Sequence, residues 1–297
     1  MSFGEPPAEA IRLLVSDIDG TLVRDDKSLP EANREAMLAL AASGVATTLI
    51  SARPPSGMLG LAASLRMTGP LAAFNGGTLF DGDGTIRFAH PLESADAATI
   101  LRMVDGPGVT PWVYADGAWF VASVDNPHLA RERLASAIEP RIRTDFTGLD
   151  GRIDKIVGVS DDHELLRRLE QRASQMLGAR ATIARSQPYY LDITHRLANK
   201  GDGIAALAHA FGVELNAVAA LGDMPNDLPM FTRAALSVAM GQAPACVRAA
   251  ANATAGTNEQ DGVADAIARF IRPRIHIDES AGPRRAGNSG RRVSEAG

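Results

Sequence analysis

Apolar runs alternate with helix-patterned stretches along the first eighty residues. Ile11 to Ser16 is apolar with little alternation, the pattern of a strand buried on both faces. A helix is expected from Pro30, where proline suits a first turn, to Ser43 ahead of Gly44. Val45 to Ile50 repeats the buried-strand pattern. Pro54 to Leu65 can be helical behind two prolines, and Leu71 to Phe74 gives a third strand. Strands alternating with helices pair in parallel, which predicts an α/β sheet.

The pattern then changes. Thr78 to Phe80 and Thr85 to Phe88 flank Asp81-Gly82-Asp83-Gly84, which has hairpin turn chemistry. Beyond it, Val109 to Tyr114 and Ile153 to Val159 read as strands. Asn126 to Ile138 and Asp162 to Leu177 read as helices. We read residues 83–187 as an inserted second domain. The α/β rhythm returns near Tyr189, with a helix over Gly201 to Phe211, a strand over Ala217 to Leu221 and a short helix after Pro225. Strand Ala235 to Met240 and helices Pro244 to Ala250 and Asp261 to Ile271 follow. Residues 1–82 and 188–271 then make one core domain. Residues 272–297 lack an apolar period, and their arginines are expected to lie on a flexible, solvated tail.

Composition narrows the function. Of 297 residues, 45% are hydrophobic and 22% charged, which suits a globular chain and argues against wholesale disorder. A net charge of −5 gives no general attraction to nucleic acid or anionic lipid, and neither partner is expected. No apolar run approaches the ~20 residues needed to cross a bilayer. The opening Met-Ser-Phe-Gly-Glu-Pro-Pro lacks the basic and apolar regions of a secretory signal. The single cysteine, Cys246, excludes a disulfide framework and a cysteine-rich zinc site, and is expected to be a small buried hydrophobe. A cytoplasmic location follows. Monomer and homodimer are both open.

Chemistry gathers at the ends of the predicted core strands, where parallel α/β sheets bind ligands. The first strand ends in Asp17-Ile18-Asp19-Gly20-Thr21-Leu22, two carboxylates two residues apart. The second ends in Ser51-Ala52-Arg53. Lys200 precedes a helix N-terminus, a natural anion site. The strand from Ala217 ends in Gly222-Asp223-Met224-Pro225-Asn226-Asp227. Each feature alone has a bland reading as a cap, an acidic loop or a surface charge; the group does not. Hard oxygen ligands suit Mg²⁺, which takes one or two carboxylates plus substrate phosphate. The cation cancels the repulsion between carboxylates and phosphate, and Lys200 and Ser51 would orient the remaining phosphoryl oxygens.

In this order these motifs resemble the haloacid dehalogenase-like superfamily over roughly residues 11 to 271. Asn75-Gly76-Gly77 and Asp261-Gly262-Val263-Ala264 make the chain similar to its Cof-type subgroup. The resemblance implies a doubly wound, Rossmann-like parallel-sheet core with an inserted mixed α/β cap. It implies a phosphatase for a small phosphorylated metabolite, with a sugar phosphate leading. Asp17 would be the nucleophile, forming an aspartyl-phosphate, and Asp19 the general acid and base. Mg²⁺ would be held by Asp17, the Asp19 carbonyl and Asp223, with Asp227 supporting its water shell. Ser51, Lys200 and Asn226 would hold the phosphoryl group, and Arg53, Asn75 and Gly76 are candidate substrate contacts. An acid at Asp19 favours fast turnover, in a phosphatase or a phosphomutase. A phosphomannomutase-type enzyme and a non-catalytic phosphometabolite-binding protein are the alternatives.

Other candidates carry less. His195 is expected to be packed or exposed, although it could face the cleft. At least half of Trp112, Tyr114 and Trp119 should be cap core, the rest being able to stack on a sugar. Arg53 and Lys155 could meet a second anionic group of the substrate, but exposed surface charge is the simpler expectation.

Overall fold

A computed structural model describes residues 10–149 and 151–275. The chain opens with β1 (Leu13–Ser16), α1 (Glu31–Ala42), β2 (Ala46–Leu49), α2 (Ser56–Ser64), β3 (Leu71–Ala73), β4 (Thr78–Phe80) and β5 (Ile86–Ala89). It continues with α3 (Ser94–Val104), β6 (Thr110–Ala115), β7 (Ala118–Val121), α4 (Leu129–Ser136) and β8 (Arg141–Ile142). Next come β9 (Ile153–Val159), α5 (His163–Leu177), β10 (Ala181–Gln187) and β11 (Tyr190–His195). The last part holds α6 (Lys200–Phe211), β12 (Val218–Gly222), α7 (Leu228–Phe231), β13 (Leu236–Ala239), α8 (Ala245–Ala250), β14 (Ala253–Thr254) and α9 (Gly262–Ala266).

The core sheet runs β14-β13-β12-β1-β2, every pair parallel. Its central strands β1 and β12 are almost wholly apolar because both faces are covered, while β2 and β13 admit Thr47, Thr48 and Ser237. Leu14 faces the side packed by Met37 and Leu40 of α1 and by Ile267. Leu13 and Val15 face Ile204 and Leu207 of α6, Met230 of α7 and Val247 of α8. Helices on both faces make the core doubly wound, as expected. The small antiparallel sheet β3-β4-β5 joins the end of β2 through a bridge between Ile50 and Ala72. The expected hairpin over Asp81 to Gly84 is its β4–β5 turn.

The second sheet runs β10-β11-β9-β6-β7-β8, antiparallel except for β7–β8. One face carries Val113, Ile156, Leu191 and Ile193 against Ile100 of α3 and Leu166 and Leu169 of α5. The other carries Trp112, Tyr114, Trp119, Val157 and Tyr190, which pack with Leu129 of α4 and merge into the core's apolar cluster. All three of Trp112, Tyr114 and Trp119 are buried there. Trp112 and Trp119 meet edge to face at 5.0 Å, a favoured aromatic geometry.

Several expectations shift. Tyr190 to His195, assigned to the returning core, pairs with β9 and β10 in the second sheet; the α/β rhythm resumes at Lys200. Its alternating residues cover both faces of that sheet, which a core strand would also do. In the other direction β5, placed beyond the boundary at residue 82, pairs with β4 beside the core. The helix expected over Asn126 to Ile138 is shorter. Asn126 Oδ1 accepts the His128 N–H before it, and Ala137 turns left-handed (φ 53°) after it. Cys246 is exposed on α8, one residue before the buried Val247. Arg272–Arg274 forms a turn whose Arg274 carbonyl accepts from Ile11 N–H at 2.9 Å, so the expected tail begins with an ordered element. The rest of that tail and the N-terminal nine residues lie outside the described residues. Among the described residues no helix is long and apolar enough to cross a membrane.

Candidate active site

β1 is flanked by β12 and β2, so its carboxyl end lies where the sheet's strand order reverses, the usual ligand crevice. Asp17 emerges there, its N–H bonded to the Leu221 carbonyl at 2.9 Å. Lys200, the first residue of α6, reaches the same place. Asn199 caps that helix by accepting the Asp202 N–H at 2.9 Å, which fixes where Lys200 starts. Lys200 is 1% exposed. Its Nζ lies 2.7 Å from Asp17 Oδ1 and 2.6 Å from Asp227 Oδ1. The other Asp227 oxygen accepts the N–H groups of Asp223 and Met224 at 2.8 and 2.9 Å. Asp227 is therefore fully committed to holding the loop and the lysine. Thr21 Oγ1 donates to Asp223 Oδ1 at 3.2 Å.

Electrostatics show what this cluster lacks. Burial pushes the Asp17 carboxyl up to about 7, against the pull of Lys200, with Asp227 pushing the same way as burial. Burial also raises Asp223 well above the carboxylate range, reinforced by Asp17 and Asp227. For Lys200 burial opposes the charge, but Asp17 and Asp227 outweigh it and hold the ammonium protonated. One lysine thus serves three carboxylates, and the site is short of positive charge. Oxygens of Asp17, Asp223 and Asp227 lie within 4.8 Å of one another. The residues present fit a hard divalent cation: all donors are oxygen, and Asp17 and Asp223 keep lone pairs free.

Asp19 lies in a different field. Arg53 grips it with two bonds, Nε to Oδ2 at 2.7 Å and Nη2 to Oδ1 at 2.8 Å. Lys27 adds a third, to Oδ1. Burial alone would raise the Asp19 carboxyl, but these cations outweigh it and hold it well below the usual range. Arg53 also donates to the Gly57 carbonyl at 3.0 Å. It is buried, as is Lys155, contrary to the simpler expectation of surface charge for both.

These groups surround a small chamber of about 50 Å³, room for a few waters. Asp17, Asp19, Ser51, Arg53, Lys200 and Asn226 line it together. Asp223 and Asp227 back it. Asn75 turns left-handed (φ 59°) and its Oδ1 accepts from Asn226 Nδ2 at 3.3 Å; it lines the neighbouring cleft. Gly76 packs against Gly203 of α6 and lines neither space. His195 stacks on His90 at 5.3 Å, away from the chamber. None of the sequence motifs pointed to Lys27, Arg131, Glu132, Tyr189 or Tyr190, which also border it. Lys27 had no local signal beyond its place after the first motif. The others come from the second sheet and α4, which close over the chamber.

The comparisons agree with this geometry. The family model for haloacid dehalogenase-like hydrolases matches residues 14–267. The HMP-PP phosphatase of Cronobacter sakazakii is 28% identical, covering 78% of this chain and 85% of the relative. The 5-amino-6-(5-phospho-D-ribitylamino)uracil phosphatase of Bacillus subtilis is 26% identical, covering 88% of this chain and 96% of the relative. A solved haloacid dehalogenase-like hydrolase from Bacteroides thetaiotaomicron superposes with a TM-score of 0.77 at 28% identity, covering 87% of this chain and 99% of that one. With the four motifs converging on one strand-end crevice beneath a lid of mixed α/β structure, the chain belongs to the haloacid dehalogenase-like hydrolases, as a phosphoric monoester hydrolase of the Cof type.

Proposed function

We propose that the chain is a Mg²⁺-dependent phosphatase for a sugar phosphate or a related small metabolite, working through an aspartyl-phosphate on Asp17. The observation that carries this reading is the Asp17–Lys200–Asp227 chain at the end of β1, with Asp19 alongside. Asp17, the Asp19 carbonyl and Asp223 would hold Mg²⁺, whose charge lets a carboxylate approach a phosphate dianion. Lys200, Ser51 and Asn226 would bind the phosphoryl oxygens, and Lys200 would aim Asp17 at phosphorus.

In the first step an Asp17 oxygen bonds to phosphorus as the ester P–O bond breaks, and Asp19 gives its proton to the departing alkoxide. In the second, Asp19 takes a proton from water, the water oxygen bonds to phosphorus, and Asp17 leaves as carboxylate with phosphate released. The Arg53–Lys27 clamp holds Asp19 ionised, the state the second step needs; the first needs it released and protonated. The substrates in the two relatives' names differ, which suits a shared phosphoryl chemistry beneath a variable cap. A single-cysteine chain also suits the cytoplasm.

The test is phosphate release from a panel of phosphorylated metabolites, with Mg²⁺ and with EDTA. Release should require Mg²⁺ and fall by about 10³-fold or more in Asp17→Asn, whose fold is retained by circular dichroism. Turnover near wild type in Asp17→Asn would reject the reading.

A further inference from the structure

The cap side of the chamber has more hydrogen-bond donors than it can spend. Lys155 of β9 crosses from the cap to the core and is 3% exposed. Its ammonium carries three donors. One goes to the Ala52 carbonyl at 3.0 Å, in the loop that carries Ser51. Lys155 also forms a buried ion pair with Asp192 at 3.6 Å, too long for a hydrogen bond, and its Nζ lies 4.8 Å from the Tyr114 ring centroid. The ammonium thus makes a single hydrogen bond where Lys155 borders the chamber. The Tyr190 hydroxyl, which lines the same chamber, has no hydrogen-bond partner among the described residues.

Arg131 borders the same chamber from α4. Among the described residues it forms no ion pair, and its Nη2 only approaches the Asp25 carbonyl at 3.4 Å. Glu132, the acid that borders the chamber from α4 among the described residues, is engaged by the Tyr114 hydroxyl. A buried donor short of acceptors, as at Lys155 and Tyr190, is costly, and a ligand that brings acceptors removes that cost. Two cations and a free hydroxyl facing a phosphoryl site select oxygen-rich, negatively charged groups.

We propose that Lys155 and Arg131 bind a second oxyanion on the leaving group, so that the preferred substrates are phosphomonoesters bearing a carboxylate or another phosphate. The proposal rests on the phosphatase reading above and narrows it. Lys155 is the deeper contact and Arg131 the one at the rim.

The test compares substrates matched in skeleton. Glycerol 3-phosphate against 3-phosphoglycerate adds a carboxylate; fructose 6-phosphate against fructose 1,6-bisphosphate adds a phosphate. We expect kcat/KM to favour the anionic member of at least one pair by about 10-fold to 100-fold, and the favoured pair tells which oxyanion fits. Lys155→Met and Arg131→Gln should each lower that ratio, Lys155→Met by more. Equal preference in the wild type, or variants that slow both members of a pair in proportion, would overturn the proposal. Arg131 is exposed, so Arg131→Gln decides the matter if Lys155→Met fails to fold. Calorimetric titration of Asp17→Asn with the same pairs reads the ratio as binding, without turnover. A chain that hydrolyses nothing yet binds the anionic members more tightly would refute the phosphatase reading and leave this one standing. The reverse result would do the opposite.

Discussion

Asp227 and Lys200 form the residue-scale keystone, and both are sealed from solvent. Removing Lys200 leaves Asp17 and Asp227 buried together without their shared cation. Lys200→Met should lose phosphate release and cost about 3 to 5 kcal/mol of stability in denaturant titrations. The cost should grow with pH. With no ammonium, the folded state favours protonated carboxyls, so stability falls as pH rises past their unfolded values. Gly222 shows the same point sterically. A Cβ there would lie 2.4 Å from Asp227 Cγ, so Gly222→Ala must push Asp227 off Lys200. Phosphate release should fall about 10-fold to 100-fold in that variant. A rate equal to wild type would mean that Asp227 positions nothing. A third residue acts on stability alone. Burial, aided by Asp116, lifts the Asp154 carboxyl to about 7. Its folded value lies above its unfolded one, so the fold favours the neutral form. Stability from this group is present below about pH 4 and is lost as pH rises to about 7. Asp154→Asn should therefore stabilise the fold at pH 8, by up to about 4 kcal/mol, and do little at pH 4, which melting temperatures at the two pH values would show.

Elements decide how these residues meet. α4 of the cap packs on α2 of the core through Gly57, where a Cβ would lie 2.1 Å from the Ala135 carbonyl. Ser56 Oγ bonds the Ser136 carbonyl at 2.7 Å beside it. Gly57→Ala should lift α4, and with it Arg131 and Glu132, from the chamber. A raised KM and a loss of about 1 to 3 kcal/mol by thermal denaturation are expected. The core elements were legible in sequence because a strand covered on both faces is an uninterrupted apolar run, as in Leu13 to Ser16. Asp17 and Asp223, carboxylates of the proposed site, were legible because each follows such a run directly. The cap was less so. α3, β7 and β10 went unassigned, although Ala97, Ile100 and Val104 of α3 recur at helical spacing, and Tyr190 to His195 reads the same whether it joins a core sheet or a cap sheet. Pairing with β9 decided it, and pairing is not local. Lys27, Arg131 and Glu132 escaped notice for the same reason: packing between distant segments makes them neighbours.

At the scale of the whole molecule, the cap is closed down on the core. α4 rests on α2, Lys155 reaches the Ala52 carbonyl, and β10 approaches the Pro225–Asp227 turn. The remaining chamber admits little beyond the transferring group, so a substrate larger than phosphate must enter with the cap raised. A cation bound among Asp17 and Asp223 would relieve the carboxylate crowding and stabilise the folded chain. At about 100 times its dissociation constant Mg²⁺ should add roughly 2 to 3 kcal/mol, seen as a rise in melting temperature that EDTA reverses. Asp223→Asn should blunt that rise.

In the proposed mechanism Asp17 carries the phosphoryl group. Asp19→Asn should still be phosphorylated by p-nitrophenyl phosphate, whose leaving group needs no acid, but should release phosphate slowly. Acid-quenched Asp19→Asn protein, analysed by peptide mass spectrometry, should therefore carry one phosphoryl group, on Asp17. A phosphoryl group on any other residue, or none in a variant that still cleaves the ester, would rule out Asp17 as the nucleophile.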